Sequence, residues 1–207
     1  MIIWVNGAFG VGKTTLTREL LDRHPEFVAF DPEGVGELLQ QSIGARVVVR
    51  DFQDWPPWRD LVPRAAAGIA DTTGSTLVAP QTVVVREYWL ELMQGFAELG
   101  HEVFHIVLDA DEETLSARIA GSGEAVEWRQ ERLADYLSAR EWLREEADLV
   151  LDTTSASPAE LAEQVEAALS DKAAHLRTTA DMRKAPRWRE QRGRSYTPRD
   201  LNPEPTD

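Results

Sequence analysis

The 207-residue chain contains no cysteine, which excludes disulfide bonds and thiolate chemistry. Its four histidines have no metal-binding spacing, and no apolar run approaches the ~20 residues that cross a bilayer. Basic residues are also few relative to acidic ones: the chain has 22 Lys and Arg and 36 Asp and Glu, which gives a formal net charge of −14. This charge argues against nucleic acid as a partner. We expect a cytoplasmic protein without a signal peptide, and a peripheral membrane contact stays open.

The first fifteen residues carry the strongest functional signal. An apolar run ending at Val5 predicts a buried strand, which leads into the pattern G-x-x-x-x-G-K-T at 7–14. Glycines let backbone N–H groups surround a phosphate, Lys13 reaches the β- and γ-phosphates, and Thr14 offers a hydroxyl to Mg²⁺. The helix that follows presents its positive end. We therefore predict binding of a nucleoside triphosphate with Mg²⁺, through Gly7, Phe9, Gly10, Val11, Gly12, Lys13, Thr14 and Thr15.

The rest of the chain alternates apolar runs with helical patterns. Further strands are predicted over 27–30, 76–79, 103–108 and 149–151, and the last helix is predicted from Pro158 to about Ser170. This alternation indicates an α/β fold with a five-stranded parallel sheet flanked by helices. We expect one domain over 1–172, followed by a tail over 173–207. The tail carries eight Lys and Arg against five Asp and Glu, so we expect it to lie over the acidic body or to be irregular or disordered.

Three charged residues are candidates for chemistry on the phosphates. Asp31 follows the second strand, where a carboxylate can accept a proton from an attacking hydroxyl or hold Mg²⁺; a helix cap is the alternative. Arg118 and Arg132 flank the break at 121–123, an arrangement that suits a lid over about 120–131, with Arg129 in reserve. Solvent-facing ion pairs are the alternative for these arginines.

A Trp- and Pro-rich stretch is the predicted specificity element, within a substrate segment of about 46–72. Trp55 and Trp58 bracket two prolines, a rigid arrangement that can stack on a base or sugar, and Arg59 can meet a polar substrate group. The alternative is a hydrophobic plug against the core.

Several spaced blocks together resemble the bacterial tunicamycin-resistance proteins. These blocks are the first fourteen residues, 30–33, 51–53, 57–59, 80–84 and 87–88. The resemblance extends from Met1 to about Leu169. It implies a fold of the nucleoside monophosphate kinase type, which includes shikimate and chloramphenicol kinases, with a lid after strand four.

The resemblance also implies roles for individual residues. Arg132 matches the lid arginine of the pattern R-L-x-x-Y, and Arg118 matches the arginine that stacks on the base. The acceptor would be held by Asp51, Phe52, Trp55, Trp58, Arg59 and Gln81. Two features depart from the kinase pattern: Pro80-Gln81 stands where many such kinases have Asp, and the second lid arginine is missing near Gly121.

Three hypotheses follow from the sequence. The first is a kinase that uses ATP and Mg²⁺ to phosphorylate tunicamycin or a related uridine-containing antibiotic, with Lys13, Asp31 and Arg132 as catalytic groups. The second is an ATP-binding protein that sequesters the antibiotic without catalysis, which the missing Asp favours. The third is a housekeeping nucleoside or nucleotide kinase.

Overall fold

A computed structural model describes residues 1–123 and 125–184, with side chains described through Ala174. Its strands are β1 (Ile2–Gly7), β2 (Val28–Ala29), β3 (Leu77–Pro80), β4 (Val103–Asp109) and β5 (Leu149–Asp152). Its helices are α1 (Lys13–Arg23), α2 (Glu33–Ile43), α3 (Pro56–Thr73), α4 (Arg86–Glu98), α5 (Glu112–Gly121), α6 (Val126–Glu145) and α7 (Pro158–Lys184). A short 3-10 turn, Phe52–Asp54, precedes α3.

The five strands form one parallel sheet in the order β2-β3-β1-β4-β5. The register places Ile3 of β1 opposite Val78 of β3 on one side and Phe104 of β4 on the other. All six residues of β1 are buried, as expected for the central strand of a parallel sheet covered on both faces by helices. The predicted α/β fold is therefore confirmed, and the carboxyl ends of β1, β3 and β4 meet at one edge.

Tryptophan contributes much of the core on one side of the sheet. Trp4 of β1 packs edge-on against Trp89 and Phe96 of α4, at centroid distances of 5.8 and 6.2 Å. Trp55 and Trp58 belong to the same buried cluster. The segment before α3 is thus fixed to the sheet by burial of its aromatic side chains.

Two predicted helix boundaries are wrong. The helix expected from about Asp60 begins at Pro56, because Pro56 and Pro57 occupy its first positions, where no backbone N–H is needed. The last helix continues past Ser170 to Lys184 because no proline or glycine interrupts that stretch.

The contacts divide the chain into two units, Met1–Glu166 and Ala167–Asp207. Of the second unit, the structure describes the helical part through Lys184, so the predicted irregular segment at 187–207 lies outside the described residues. The domain boundary at Lys172 stays a prediction.

Within the described ranges, none of the helices has both the length and the apolar character required to cross a membrane.

Candidate active site

Residues Gly7 to Gly12 form a tight loop between β1 and α1. Gly7, Gly10 and Gly12 have φ angles of 138°, 75° and 108°, in the region that favours glycine. A Cβ on Gly7 would also collide with the carbonyl oxygen of Leu108 in β4. The glycines at both ends of the motif are therefore required by the backbone geometry of the loop, and the amino end of α1 opens directly after it.

Lys13 folds back over this loop. Its Nζ donates to the carbonyl oxygens of Gly7 and Ala8 at 3.0 and 2.8 Å and lies 5.3 Å from the centroid of the Phe9 ring. Burial lowers the pKa of Lys13 to about 7, while the carboxylate of Glu33 acts to raise it and the guanidinium of Arg129 to lower it. An amine with so low a pKa beside a glycine loop is typical of a functional site.

This pKa predicts proton uptake when a polyphosphate binds. A nearby anion favours the ammonium form, so the pKa of Lys13 should rise on binding. At pH 8 the amine is mostly neutral beforehand, and we expect uptake approaching one proton; at pH 6 the amine is already charged, and uptake should be small. Calorimetric titration with ATP in phosphate and Tris buffers measures this quantity. Binding heats at pH 8 that do not depend on the buffer would contradict the assignment, and Lys13→Arg, which stays charged, should abolish the uptake.

The end of β1 is tied to the loop after β3. The amide of Asn6 accepts from the backbone N of Gly7 and Val83 at 2.8 and 3.0 Å, and it donates to Val83 O at 3.1 Å. The hydroxyl of Thr82 donates to Gly7 O at 2.7 Å. The segment that follows β3 is thereby held against the glycine loop.

Asp31 lies at the start of α2. Its Oδ1 accepts a hydrogen bond from the backbone N of Glu33, the first residue of α2, at 2.9 Å, although the N-cap residue itself is Pro32. The side chain is exposed, and the predicted catalytic and metal roles stay predictions.

The described residues contain no group of three or more His, Cys, Asp or Glu side chains that could hold a metal ion. Mg²⁺ commonly takes only one or two protein oxygens and fills its shell with phosphate and water oxygens. Thr14, at the start of α1, and Asp31, before α2, are both exposed, and their oxygens are of the kind that this mode of binding uses.

Arg118 of α5 contacts the loop after β5. Its guanidinium donates to Thr153 Oγ1 at 3.0 Å and to Thr153 O at 2.7 Å. It therefore lies at the carboxyl edge of the sheet with the glycine loop, and Gly10 faces its Cβ. The contact with a base stays a prediction.

Arg132 of α6 joins the predicted lid to the predicted substrate segment. Its guanidinium donates to Asp51 Oδ2 at 3.0 Å and to Asp135 Oδ2 at 3.1 Å. Trp128 lies between this arginine and the loop: its ring is 5.3 Å from the Arg132 guanidinium and 5.0 Å from the Phe9 ring. Residues from three distant parts of the sequence thus meet at one place.

A cavity of about 640 Å³ opens at this meeting point. Of the predicted residues, it brings together Phe9, Asp51, Phe52, Gln81 and Arg132. Its wall also contains Glu33, Gly36, Glu37, Gln40, Gln41, Val49, Arg50, Gln53, Asp54, Thr82, Val84, Val85, Tyr88 and Trp128.

Three of the predicted substrate residues do not line this cavity. Trp55 and Trp58 are 1% and 0% exposed, and their indole N–H groups donate to the carbonyl oxygens of Val47 and Pro32. Arg59 is buried, donates to Glu91 Oε2 at 2.6 Å and to Gln53 O, and lies over the Tyr88 ring. The expectation that these three side chains contact substrate is corrected, because all three are buried and bonded to other residues of the protein.

Replacing Trp58 with alanine should therefore act on stability. Loss of a fully buried indole is expected to lower the free energy of unfolding by about 3–5 kcal/mol. Urea denaturation measures this change. Trp128→Ala, at a 40% exposed tryptophan, is the comparison and should cost much less. A Trp58→Ala protein as stable as the parent would contradict the packing role.

Sequence reasoning missed a buried cluster around Asp109 at the end of β4. Its carboxylate accepts hydrogen bonds from Tyr136 OH at 2.9 Å, Arg140 Nε at 2.9 Å and Arg144 Nη1 at 2.6 Å. Burial and the adjacent carboxylate raise the pKa of Tyr136. The spacing of 136, 140 and 144 on one helix face was the available signal. The cluster fixes α6, which carries Arg132, to the sheet.

A solved structure of known identity resembles this fold. The solved structure of the tunicamycin resistance protein of Deinococcus radiodurans matches with a TM-score of 0.66 and 25% identity, over 82% of this chain and 95% of that one. The resemblance inferred from the sequence is thereby confirmed.

Two kinase structures share the fold. A sugar kinase from Janibacter sp. gives a TM-score of 0.62 with 20% identity, covering 82% of this chain and 94% of that one. A gluconokinase from Sinorhizobium meliloti gives 0.61 with 17% identity, covering 86% and 95%. The chain thus has a P-loop kinase-like fold.

No curated protein matches the sequence. The model of the AAA domain family, however, matches residues 2–141. Because that match covers more than half of the chain, the chain belongs to the AAA domain family.

Proposed function

We propose that this protein is a kinase that uses ATP and Mg²⁺ to phosphorylate a hydroxyl group of tunicamycin or a related uridine-containing compound. The observation that carries the proposal is the cavity of about 640 Å³, which shares Phe9 with the glycine loop and has Thr82, bonded to Gly7 O, in its wall. A phosphate site and a cavity for a small molecule therefore share a boundary. That is the arrangement a phosphoryl transfer between two bound substrates needs.

The glycine loop and Lys13 would hold the phosphates. On binding, Lys13 would exchange its hydrogen bonds to Gly7 O and Ala8 O for bonds to phosphate oxygens. The negative charge of these oxygens would stabilise the ammonium form of Lys13. ATP would supply the γ-phosphoryl group. Thr14 and Asp31 would hold Mg²⁺, which would neutralise charge on the phosphates. These residues keep the phosphates in position without reorganisation during transfer.

Asp31 and Arg132 would act on the transfer itself. Asp31 would accept the proton of the acceptor hydroxyl while the hydroxyl oxygen bonds to the γ-phosphorus of ATP. The bond between that phosphorus and the oxygen bridging to the β-phosphate would break, and ADP would leave. Arg132, now paired with Asp51 and Asp135, would turn toward the phosphoryl group when the lid closes. Arg118 would lie against the base.

The choice of tunicamycin rests on the likeness to the Deinococcus radiodurans protein and on the sequence blocks shared with that group. One observation favours a second candidate, sequestration without catalysis: β3 is followed by Gln81, an amide, where many such kinases have a carboxylate.

The number of ADP molecules released per protein molecule distinguishes a kinase from a sequestering protein. With protein limiting and ATP and tunicamycin in excess, a kinase releases many equivalents of ADP per protein, and a sequestering protein releases at most one. Asp31→Asn should lower the ADP release, and Asp22→Asn, at an exposed carboxylate on α1, should not. ADP release that never exceeds one equivalent, together with tight binding of the antibiotic, would contradict the kinase and support sequestration.

A further inference from the structure

The cavity has few positive charges, and each of them lies beside carboxylates of the protein. Two cationic side chains, Arg50 and Arg132, lie in its described wall. Arg132 bonds to Asp51 and Asp135, and Arg50 lies 3.7 Å from Glu131 and 3.9 Å from Asp135. An arginine that binds an anionic ligand normally offers its paired N–H groups to that ligand. Carboxylates of the protein occupy the two terminal nitrogens of Arg132 in this way, whereas its buried Nε has no hydrogen-bond partner among the described residues and the side chain of Arg50 is largely exposed.

Negative charge dominates the same wall. The carboxylates of Glu33, Glu37, Asp51 and Asp54 line the cavity, against the two arginines. The pKa of Glu33 is raised, first by its desolvation and then by the charge of Asp31. An anionic ligand in the cavity would add a further negative charge to these carboxylates, in a partly desolvated space that screens poorly.

The remaining polar surface of the wall is neutral. The side chain of Gln81 is 4% exposed, and its Nε2 donates to Thr82 O at 3.3 Å. That bond fixes the orientation of the amide, since a flipped amide would set two oxygens against each other. Its Oε1 is buried without a hydrogen-bond partner. A buried acceptor left unpaired is costly, and because Gln81 lines the cavity, a ligand N–H or O–H group that reaches this oxygen would remove that cost.

Apolar and aromatic groups complete the wall. Phe52, Tyr88 and Trp128 present rings, and Val49 and Val84 add aliphatic surface. The hydroxyl of Tyr88 is bonded to Asp54 Oδ1 at 3.1 Å and Arg59 lies over its ring, so Tyr88 offers the cavity the ring surface that Arg59 does not cover. Such a surface gains from covering the apolar part of a ligand.

We propose that the cavity selects uncharged acceptors: hydroxyl compounds that carry an N–H or O–H donor for Gln81 Oε1 and apolar surface for the rings, and no carboxylate, sulfate or phosphate group. This selectivity rests on the proposed function, because it describes the acceptor of that kinase. It distinguishes the cavity from the site of a kinase for sugar acids, whose acceptor is an anion.

Matched pairs of ligands test this selectivity by binding alone. Uridine 5′-carboxamide and uridine 5′-carboxylate differ in one charged group, as do gluconamide and gluconate. The ligands are titrated into the full chain by calorimetry or ligand-observed NMR at pH 7.5. At least one amide is expected to bind about tenfold or more tighter than its carboxylate, since one like-charge repulsion at about 4 Å exceeds that factor at an effective dielectric constant of about 20. Equal affinities, tighter binding of the carboxylates, or no binding of either amide would overturn the proposal.

Variants tie the preference to the cavity. Glu37→Gln removes one negative charge and should reduce the difference in affinity between the amide and the carboxylate of each pair. Glu141→Gln, at an exposed glutamate outside the wall, should leave that difference unchanged. Gln81→Leu should weaken the bound amide roughly fivefold or more. A preference that neither cavity variant alters would overturn the assignment to this site. Amide binding with no phosphorylated product would contradict the kinase and leave the selectivity intact.

Discussion

Replacing Lys13 with methionine is expected to lower phosphoryl transfer by about 10²- to 10³-fold and to weaken ATP binding by about tenfold or more. Methionine is unbranched and only one heavy atom shorter than lysine, and it removes the charge. The loop N–H groups remain, so we expect ATP binding to be weakened and not lost, whereas transfer would lose the cation that we propose contacts the γ-phosphate. The kcat of antibiotic phosphorylation and the Kd for ATP measure the two effects.

Arg18→Ala is the matched control for Lys13→Met. Arg18 is an exposed cation on the same helix, and its removal should change neither quantity appreciably. If both variants behave alike, the effect is one of overall charge, and the role of Lys13 is wrong. If Lys13→Met retains full transfer, the glycine loop is not the site of the γ-phosphate.

Replacing Gly7 with alanine is expected to lower the free energy of unfolding by about 2–4 kcal/mol and to abolish measurable ATP binding. The φ angle of 138° is unfavourable for alanine, and the new methyl group would meet the carbonyl oxygen of Leu108. Because that oxygen belongs to β4, relief requires movement of the loop itself, which displaces its N–H groups. Urea denaturation and calorimetric titration measure the two losses.

Gly68→Ala shows whether the effect belongs to the loop. Gly68 is exposed within α3, has no atom within 4 Å of an added Cβ, and has no left-handed φ. Alanine there should stabilise the helix by roughly 0.5–1 kcal/mol. A Gly7→Ala protein that folds and binds ATP like the parent would contradict the geometry described for the loop.

The sheet and the glycine loop could be predicted because their signals are local. Apolar runs such as 103–108 indicate buried strands. The motif at 7–14 itself indicates that glycine is needed at positions 7 and 12, because the loop requires backbone angles that favour glycine. The meeting of Asp51, Gln81 and Arg132 at one cavity could be anticipated only through the resemblance to a family. Nothing local links residues 81 positions apart.

The roles of the tryptophans and of Asp109 depend on packing, which a sequence does not display. Trp55 and Trp128 look equally suited to stacking, yet one is 1% and the other 40% exposed. Burial also determines the role of Arg59. Its charge predicts a surface position, but in the structure the buried guanidinium donates to Glu91 Oε2 and Gln53 O. Asp109 gains its partners from a helix that begins 17 residues later, at Val126.

Mass spectrometry of the antibiotic tests the central claim most directly. The purified protein, incubated with ATP, Mg²⁺ and tunicamycin, should convert the antibiotic to a species heavier by one phosphoryl group, with one ADP formed for each product. Lys13→Met and Asp31→Asn should suppress that species, and Asp22→Asn should not. Unmodified tunicamycin after prolonged incubation with active, ATP-binding protein would contradict the proposed kinase.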